Sequence, residues 1–76
     1  MKQVLETIAR ALVDYPEQVS VTEINNDDET ITLELRVAES DMGKVIGKQG
    51  RIAKAIRAVV KAAANKENKK VAVEII

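Results

Sequence analysis

The stretch Val45–Ile52, which reads VIGKQGRI, decides the fold of this chain. It contains a Gly-x-x-Gly loop with a cation inside it, between a short apolar run and a long amphipathic segment. Glycine at Gly47 and Gly50 permits positive φ at both ends of the turn and close approach of the backbone to a ligand. Outward-facing amides at the start of a helix suit an anion, and Lys48 and Arg51 add full charges beside them. The loop is therefore a predicted phosphate site, and a nucleic-acid backbone is the ligand that fits it best.

Length and composition predict one small domain over residues 1–76. The chain has no cysteine and no histidine, so it has no disulfide or thiolate metal site, which is compatible with a cytoplasmic location. Met1 opens directly into an amphipathic pattern, and no apolar run is long enough to cross a bilayer. We therefore expect a complete, mature cytoplasmic protein with no membrane association.

The zero net charge of the chain hides a strong asymmetry between its two halves. Residues 1–42 carry 3 basic and 10 acidic side chains, whereas residues 43–76 carry 9 basic and 2 acidic ones. The net charges are therefore −7 and +7. Attraction between the halves contributes to folding, but it does not explain why the cations collect around the two glycines. This distribution favours an anionic partner for the second half.

Hydrophobic periodicity predicts six elements in the order α-β-β-α-α-β. They are a helix over residues 2–15 stopped by Pro16, strands over 19–24 and 30–37 around a turn at 25–28, a short helix to about residue 46, a long helix over 51–65 and a strand over 70–76. Ser40 or Asp41 is a suitable N-cap for the short helix. The predicted fold is α+β, a two-layer sandwich in which helices pack on a three-stranded sheet.

This element order, together with the loop, resembles a KH domain of the αββααβ type (type II), over the whole chain. Gly47–Gly50 matches the GXXG loop of that family, and Val45, Ile46 and Ile52 match its apolar flanks. The segment from Val45 to Arg57 is especially similar to the small stand-alone bacterial KH proteins called KhpA-like. The resemblance implies a non-catalytic protein that binds single-stranded RNA.

The resemblance also implies how RNA is held, because a KH loop clamps the backbone of about four unpaired nucleotides while the bases lie in an aliphatic groove. Val45, Ile46 and Ile52 are candidates for that groove, and the competing interpretation is that they are core residues. Tyr15 falls on the core stripe of the first helix, so an aromatic stacking platform is not expected. The full set of predicted RNA-binding residues is Gly47, Lys48, Gln49, Gly50, Arg51, Lys44, Val45, Ile52 and Lys54.

Other functions fit the sequence less well. A simple helix–helix turn would explain the two glycines but not the cations near them. A nucleotide-binding P-loop needs four residues between its glycines, whereas Gly43 and Gly47 are separated by three, and it needs a Ser or Thr where Gln49 stands. Residues 26–29 lack the alternating ligands and the glycine of a calcium loop. Without His or Cys the usual catalytic bases, thiols and metal ligands are missing, so we expect no enzyme, no metal and no cofactor.

The long helix suggests a second kind of partner. One face of the helix carries four cations and no acid: Arg51, Lys54, Arg57 and Lys61. It is either an ordinary solvated face, or one from which Arg51 and Lys54 reach a bound strand while Arg57 and Lys61 contribute only long-range field. On the other side, Ile52, Ile56 and Val59 form the stripe predicted to face the core. Ala53, Val60 and Ala64 extend this apolar sector to a width of roughly 200°, about twice what one-sided burial requires. Either the first helix covers the excess or a second molecule does, and for the second case the predicted dimer residues are Ala53, Val60 and Ala64.

Two classes of function therefore remain open. One is an RNA chaperone or post-transcriptional regulator. The other is a protein-interaction subunit, since the resemblance implies a homodimer or a heterodimer with a larger KH-containing protein of the Jag type, in processes that touch cell division, envelope growth and cell shape.

Overall fold

The computed structural model describes residues 1–76 as three helices and one three-stranded sheet, in the predicted α-β-β-α-α-β order. The elements are α1 (Lys2–Leu12), β1 (Ser20–Asn25), β2 (Thr30–Arg36), α2 (Met42–Ile46), α3 (Arg51–Lys66) and β3 (Lys70–Ile75), with 3₁₀ turns at Pro16–Gln18, Glu39–Asp41 and Lys48–Gly50. The predicted α+β class is confirmed. No helix reaches the length and hydropathy that crossing a bilayer requires.

The sheet has the strand order β1-β2-β3, with β1 and β2 antiparallel and β2 and β3 parallel. Alternation along β2 buries Leu33 and Leu35 completely on the face that the helices cover. A parallel pair cannot be joined by a tight turn, so α2 and α3 together form the crossover between β2 and β3. The glycine loop lies inside this crossover, at the junction between its two helices.

Helix α3 buries a different side from the one that its pattern predicted. Its buried residues are Ala53, Ile56, Val60 and Ala64, whereas Val59 is 52% exposed. The predicted dimer residues Ala53, Val60 and Ala64 are therefore wrong, because they pack in the core of a single chain. The sector is apolar on both sides of Ile56, and the pattern alone cannot show which side faces the sheet. The excess apolar surface exists, but it lies on the side of Val59.

Helix α1 ends at Leu12, three residues before the predicted end at Tyr15. The reason is Asp41, a buried carboxylate that accepts the backbone amides of Asp14 at 3.1 Å and Tyr15 at 3.0 Å. In a continued helix those two amides would donate to carbonyls four residues earlier. Because Asp41 takes them instead, the chain leaves the helix before Pro16 is reached.

Two further expectations fail for the same reason. No side chain caps α2, so the predicted capping role of Ser40 or Asp41 is wrong. The carboxylate of Asp41 is turned towards the segment after α1, where each of its oxygens accepts one main-chain amide. Tyr15 lies beyond the helix and is 46% exposed, so it does not belong to the core stripe.

Candidate nucleic-acid interface

The backbone of the loop depends on both of its glycines. Gly47 has φ 74° and ψ 178°, a combination open essentially only to glycine. A β-carbon at Gly47 would also lie 2.5 Å from Cγ1 of Ile52. Gln49 and Gly50 then adopt left-handed conformations in succession, with φ of 57° and 72°. The chain therefore reverses within four residues and enters α3 directly.

The surface of the loop is cationic and open. Lys48 and Gln49 are exposed, as expected for the tip of the turn, and so are Arg51 and Lys54 in the first turn of α3. None of the three cations forms a salt bridge. The first turn of α3 has no acidic residue and no side-chain cap, so the partial positive charge of the helix N-terminus is not compensated there. This arrangement is suited to a phosphate group.

Lys44, the fourth predicted cation of the site, differs from the other three because it is paired with acidic side chains. Its ammonium group donates to the carboxylate of Asp14 and lies 3.7 Å from Oδ1 of Asp41. The hydrogen bond to Asp14 raises the pKa of Lys44 above its ordinary value. Lys44 is thus charged and exposed, but two carboxylates compensate its charge.

The apolar neighbours of the loop are not placed as predicted. Val45 is completely buried in the core and cannot contact a ligand, so its assignment to RNA binding is wrong. Helix α2 is only five residues long, and Val45 is its one buried position. Ile46, one residue later, is 37% exposed, and Ile52 is partly buried against the core. Ile46 and Ile52 are therefore the aliphatic side chains available beside the loop.

Arg57 makes a contact that the sequence analysis did not foresee. Its Nε donates to the backbone carbonyl of Val73 at 3.2 Å, which ties α3 to β3. The acceptor is a main-chain atom 16 residues away, so no side-chain pattern could have indicated it. The guanidinium is held at the sheet, whereas Arg51 and Lys54 remain free beside the loop.

An apolar groove of about 440 Å³ lies between α1 and α3 and adjoins the loop. Its lining includes Ile8, Leu12, Ile52, Ala55 and Val59, with Arg51 as the single charged residue. We call this surface the α1–α3 groove. It is the part of the wide apolar sector of α3 that the sheet and α1 leave uncovered.

Solved structures with this fold include two of Era, a much longer protein. One is Era in complex with MgGDPNP and nucleotides 1506–1542 of 16S ribosomal RNA, with a TM-score of 0.69 at 19% identity. The other is Aquifex aeolicus Era bound to GDP and tetrafluoroaluminate, with a TM-score of 0.68 at 20% identity. Each match covers 97% of this chain and 28% of the Era chain. At this level of identity the likeness shows the fold alone.

Relatives of the same length share much more of the sequence. The RNA-binding protein KhpA of Clostridium acetobutylicum is 68% identical over 76 residues, which is 100% of both chains. The RNA-binding protein KhpA of Caldanaerobacter subterraneus is 62% identical over the same full lengths. That of Aquifex aeolicus is 46% identical, covering 100% of this chain and 95% of the relative. Residues 2–75 also match the family model described as "KhpA/KhpB, KH domain". With the element order, the glycine loop and relatives of full length in agreement, this chain belongs to the KhpA/KhpB family of KH domains.

Proposed function

We propose that this chain binds single-stranded RNA, without catalysis, through the loop Gly47–Gly50 and the first turn of α3. The observation that carries the proposal is the exposed, uncompensated positive charge of Lys48, Arg51 and Lys54 at an uncapped helix N-terminus. Relatives that match this chain from end to end are named RNA-binding proteins, which supports the same ligand.

In this mechanism a phosphate approaches the turn at Gly50, where the space that a side chain would occupy is open. Lys48 supplies a full charge from inside the turn, and Arg51 and Lys54 neutralise neighbouring phosphates. Such contacts fix the backbone and carry no sequence information. The exposed parts of Ile46 and Ile52 offer apolar contact to unstacked bases, so the strand must be unpaired. Binding is expected to be weak, sensitive to salt and poorly discriminating between sequences.

Weak and poorly discriminating binding suits an RNA chaperone or a post-transcriptional regulator acting on many transcripts in the cytoplasm. The affinities for single-stranded RNA and for single-stranded DNA of the same sequence, compared directly, measure the preference for RNA.

The test reverses the charge of the loop with Lys48→Asp and Gln49→Asp together. Because both side chains are exposed, we expect an unchanged thermal melt and, at about 0.1 M salt, at least a tenfold loss of affinity for a short unstructured RNA. A matched control is Lys2→Asp with Gln3→Asp, since the same two residue types stand exposed at the start of α1. Equal affinities of the loop variant and this control would refute the loop as the binding site.

A second function is favoured by the α1–α3 groove. We propose that two copies of the chain pair through it, with α3 packed against α3 of the partner about a two-fold axis. Ile52, Ala55, Val59 and Ala62 recur along α3 at intervals of three and four, the spacing of a helix–helix seam. The alanines allow two helices to approach closely. The same face is the one we assign to a larger KH-containing partner of the Jag type in a heterodimer.

Sedimentation of the wild type and of Val59→Asp tests the pairing. Val59 is 52% exposed, so the variant should fold normally but remain a monomer at concentrations where the wild type is a dimer. Ile76→Asp is the matched control, because Ile76 is similarly exposed at 49% but lies outside the groove. A Val59→Asp variant that dimerises like Ile76→Asp would exclude this interface.

A further inference from the structure

We propose that Asp14 competes with RNA phosphates for the side chain of Lys44. By pairing with this cation, which would otherwise contact a phosphate, Asp14 lowers the affinity of the loop for RNA. The inference rests on the proposed function of the loop. It assigns an affinity-determining role to a residue outside the loop, on the segment between α1 and β1.

The position of Asp14 is fixed by the buried carboxylate of Asp41. Asp41 is 1% exposed, and its two oxygens accept the amides of Asp14 and Tyr15. These bonds hold the main chain of this segment against the start of α2. The side chain of Asp14 is thereby placed beside Lys44, which it contacts directly.

The competition follows from where Lys44 stands. It lies in the last turn of α2, three residues before Gly47, while its ammonium group is directed to carboxylates. Of the four cations predicted for the site, Lys44 alone is paired. The cluster of Lys44, Asp14 and Asp41 has a net charge of −1, at the edge of a surface that is otherwise positive.

An exposed ion pair is ordinarily worth little to stability, because water screens it and the side chains lose freedom. Weak pairing is what a competitor needs, since Lys44 can then exchange Asp14 for a phosphate. The carboxylate freed by this exchange attracts a cation, so the exchange releases fewer counterions overall than phosphate binding by an unpaired lysine. Removing the Asp14 carboxylate should therefore restore the full counterion release of one phosphate contact.

The test is Asp14→Asn, which keeps the backbone amide that Asp41 accepts. The restored counterion release of one phosphate contact should make the log–log salt slope more negative by about 0.7. By the same relation it should raise affinity for a short unstructured RNA about fivefold at 0.1 M salt. Asp27→Asn is the matched control, because Asp27 is an exposed acid in the turn at the opposite end of β2, roughly 20 Å away along the strand.

A double-mutant cycle with Lys44→Gln shows whether Asp14 acts through Lys44. In that background Asp14→Asn should gain less than about twofold, because only the screened field of the carboxylate is then removed. Equal slopes for Asp14→Asn and Asp27→Asn, with the loop variant still defective, would overturn this inference alone. Full binding by the Lys48→Asp, Gln49→Asp variant would instead overturn the proposed function on which it rests.

Discussion

Substitution of alanine at each of the three glycines separates backbone geometry from packing at the loop. At Gly47 the substitution forces a residue with a side chain into a strained region, which costs about 1–3 kcal/mol. The new methyl group would lie 2.5 Å from Cγ1 of Ile52 and 2.9 Å from its Cβ and Cδ1. Displacing Ile52 from its packing adds about 1–3 kcal/mol.

The total is a large part of the stability of the domain, which at 76 residues is expected to be about 4–11 kcal/mol. For a domain of this size each kcal/mol corresponds to about 4–8 °C, so Gly47→Ala should lower the melting temperature by at least about 10 °C. A thermal melt followed by far-UV circular dichroism measures it.

The other two glycines are the matched controls. Gly50→Ala meets no atom within 4 Å, and its left-handed backbone alone should cost about 1–2 kcal/mol. Gly43 lies within α2 and does not have positive φ, and its side is open, so Gly43→Ala should stabilise by about 0.4–1 kcal/mol. Adding Ile52→Ala to Gly47→Ala should remove the contacts with Cγ1 and Cδ1, but the contact with Cβ and the backbone strain should remain. If Gly47→Ala melts like the wild type, or Gly50→Ala costs more than Gly47→Ala, the assigned loop geometry is wrong.

Three further predictions concern charge and hydrogen bonding. Asp41→Ala leaves the amides of Asp14 and Tyr15 without an acceptor and should destabilise the fold by about 1–3 kcal/mol in urea unfolding. An unchanged unfolding midpoint would contradict the role given to this carboxylate. RNA binding should show a log–log salt slope of about −1.4 to −2.1, for two to three phosphates at about −0.7 each. Arg51→Ala should weaken that slope more than Arg57→Ala, whose guanidinium is bonded to β3, and salt-independent binding would point to a protein partner instead. Hydrogen bonds from Thr30 hold the pKa of Asp28 below its ordinary value of 3.8, so the stability that Asp28 adds over Asp28→Ala should be present near neutral pH and lost as the pH falls below that value. A difference between those two proteins that does not change with pH would exclude this linkage.

The order of elements could be predicted from the sequence because each has a clear period. Leu33 and Leu35 alternate with polar residues along β2, and the glycine loop marks the junction of two helices. Strand and helix ends were less predictable. The early end of α1 depends on Asp41, whose partners are main-chain amides 26 and 27 residues away. Main-chain donors have no sequence signature, so this contact could not be anticipated.

The errors at the site have a related origin, since each concerns neighbouring apolar residues with the same chemistry. Val59 and Val60 differ by one position, and only the packing on the sheet decides that Val60 is buried and Val59 exposed. Val45 and Ile46 present the same ambiguity on a helix of five residues. The loop was predictable because Gly47 and Gly50 are required by the local backbone conformation, and both are visible in the sequence together with the cations beside them.

Amide NMR spectra recorded during an RNA titration show directly whether RNA contacts the loop Gly47–Gly50. The largest shift changes should fall on residues 47–51, with smaller changes at Lys54 and none in the turn at residues 26–29. The Lys48→Asp, Gln49→Asp variant should give the spectrum of a folded protein that no longer responds to RNA. Shift changes concentrated on the sheet or in the hairpin turn, with the loop amides unmoved, would contradict the account.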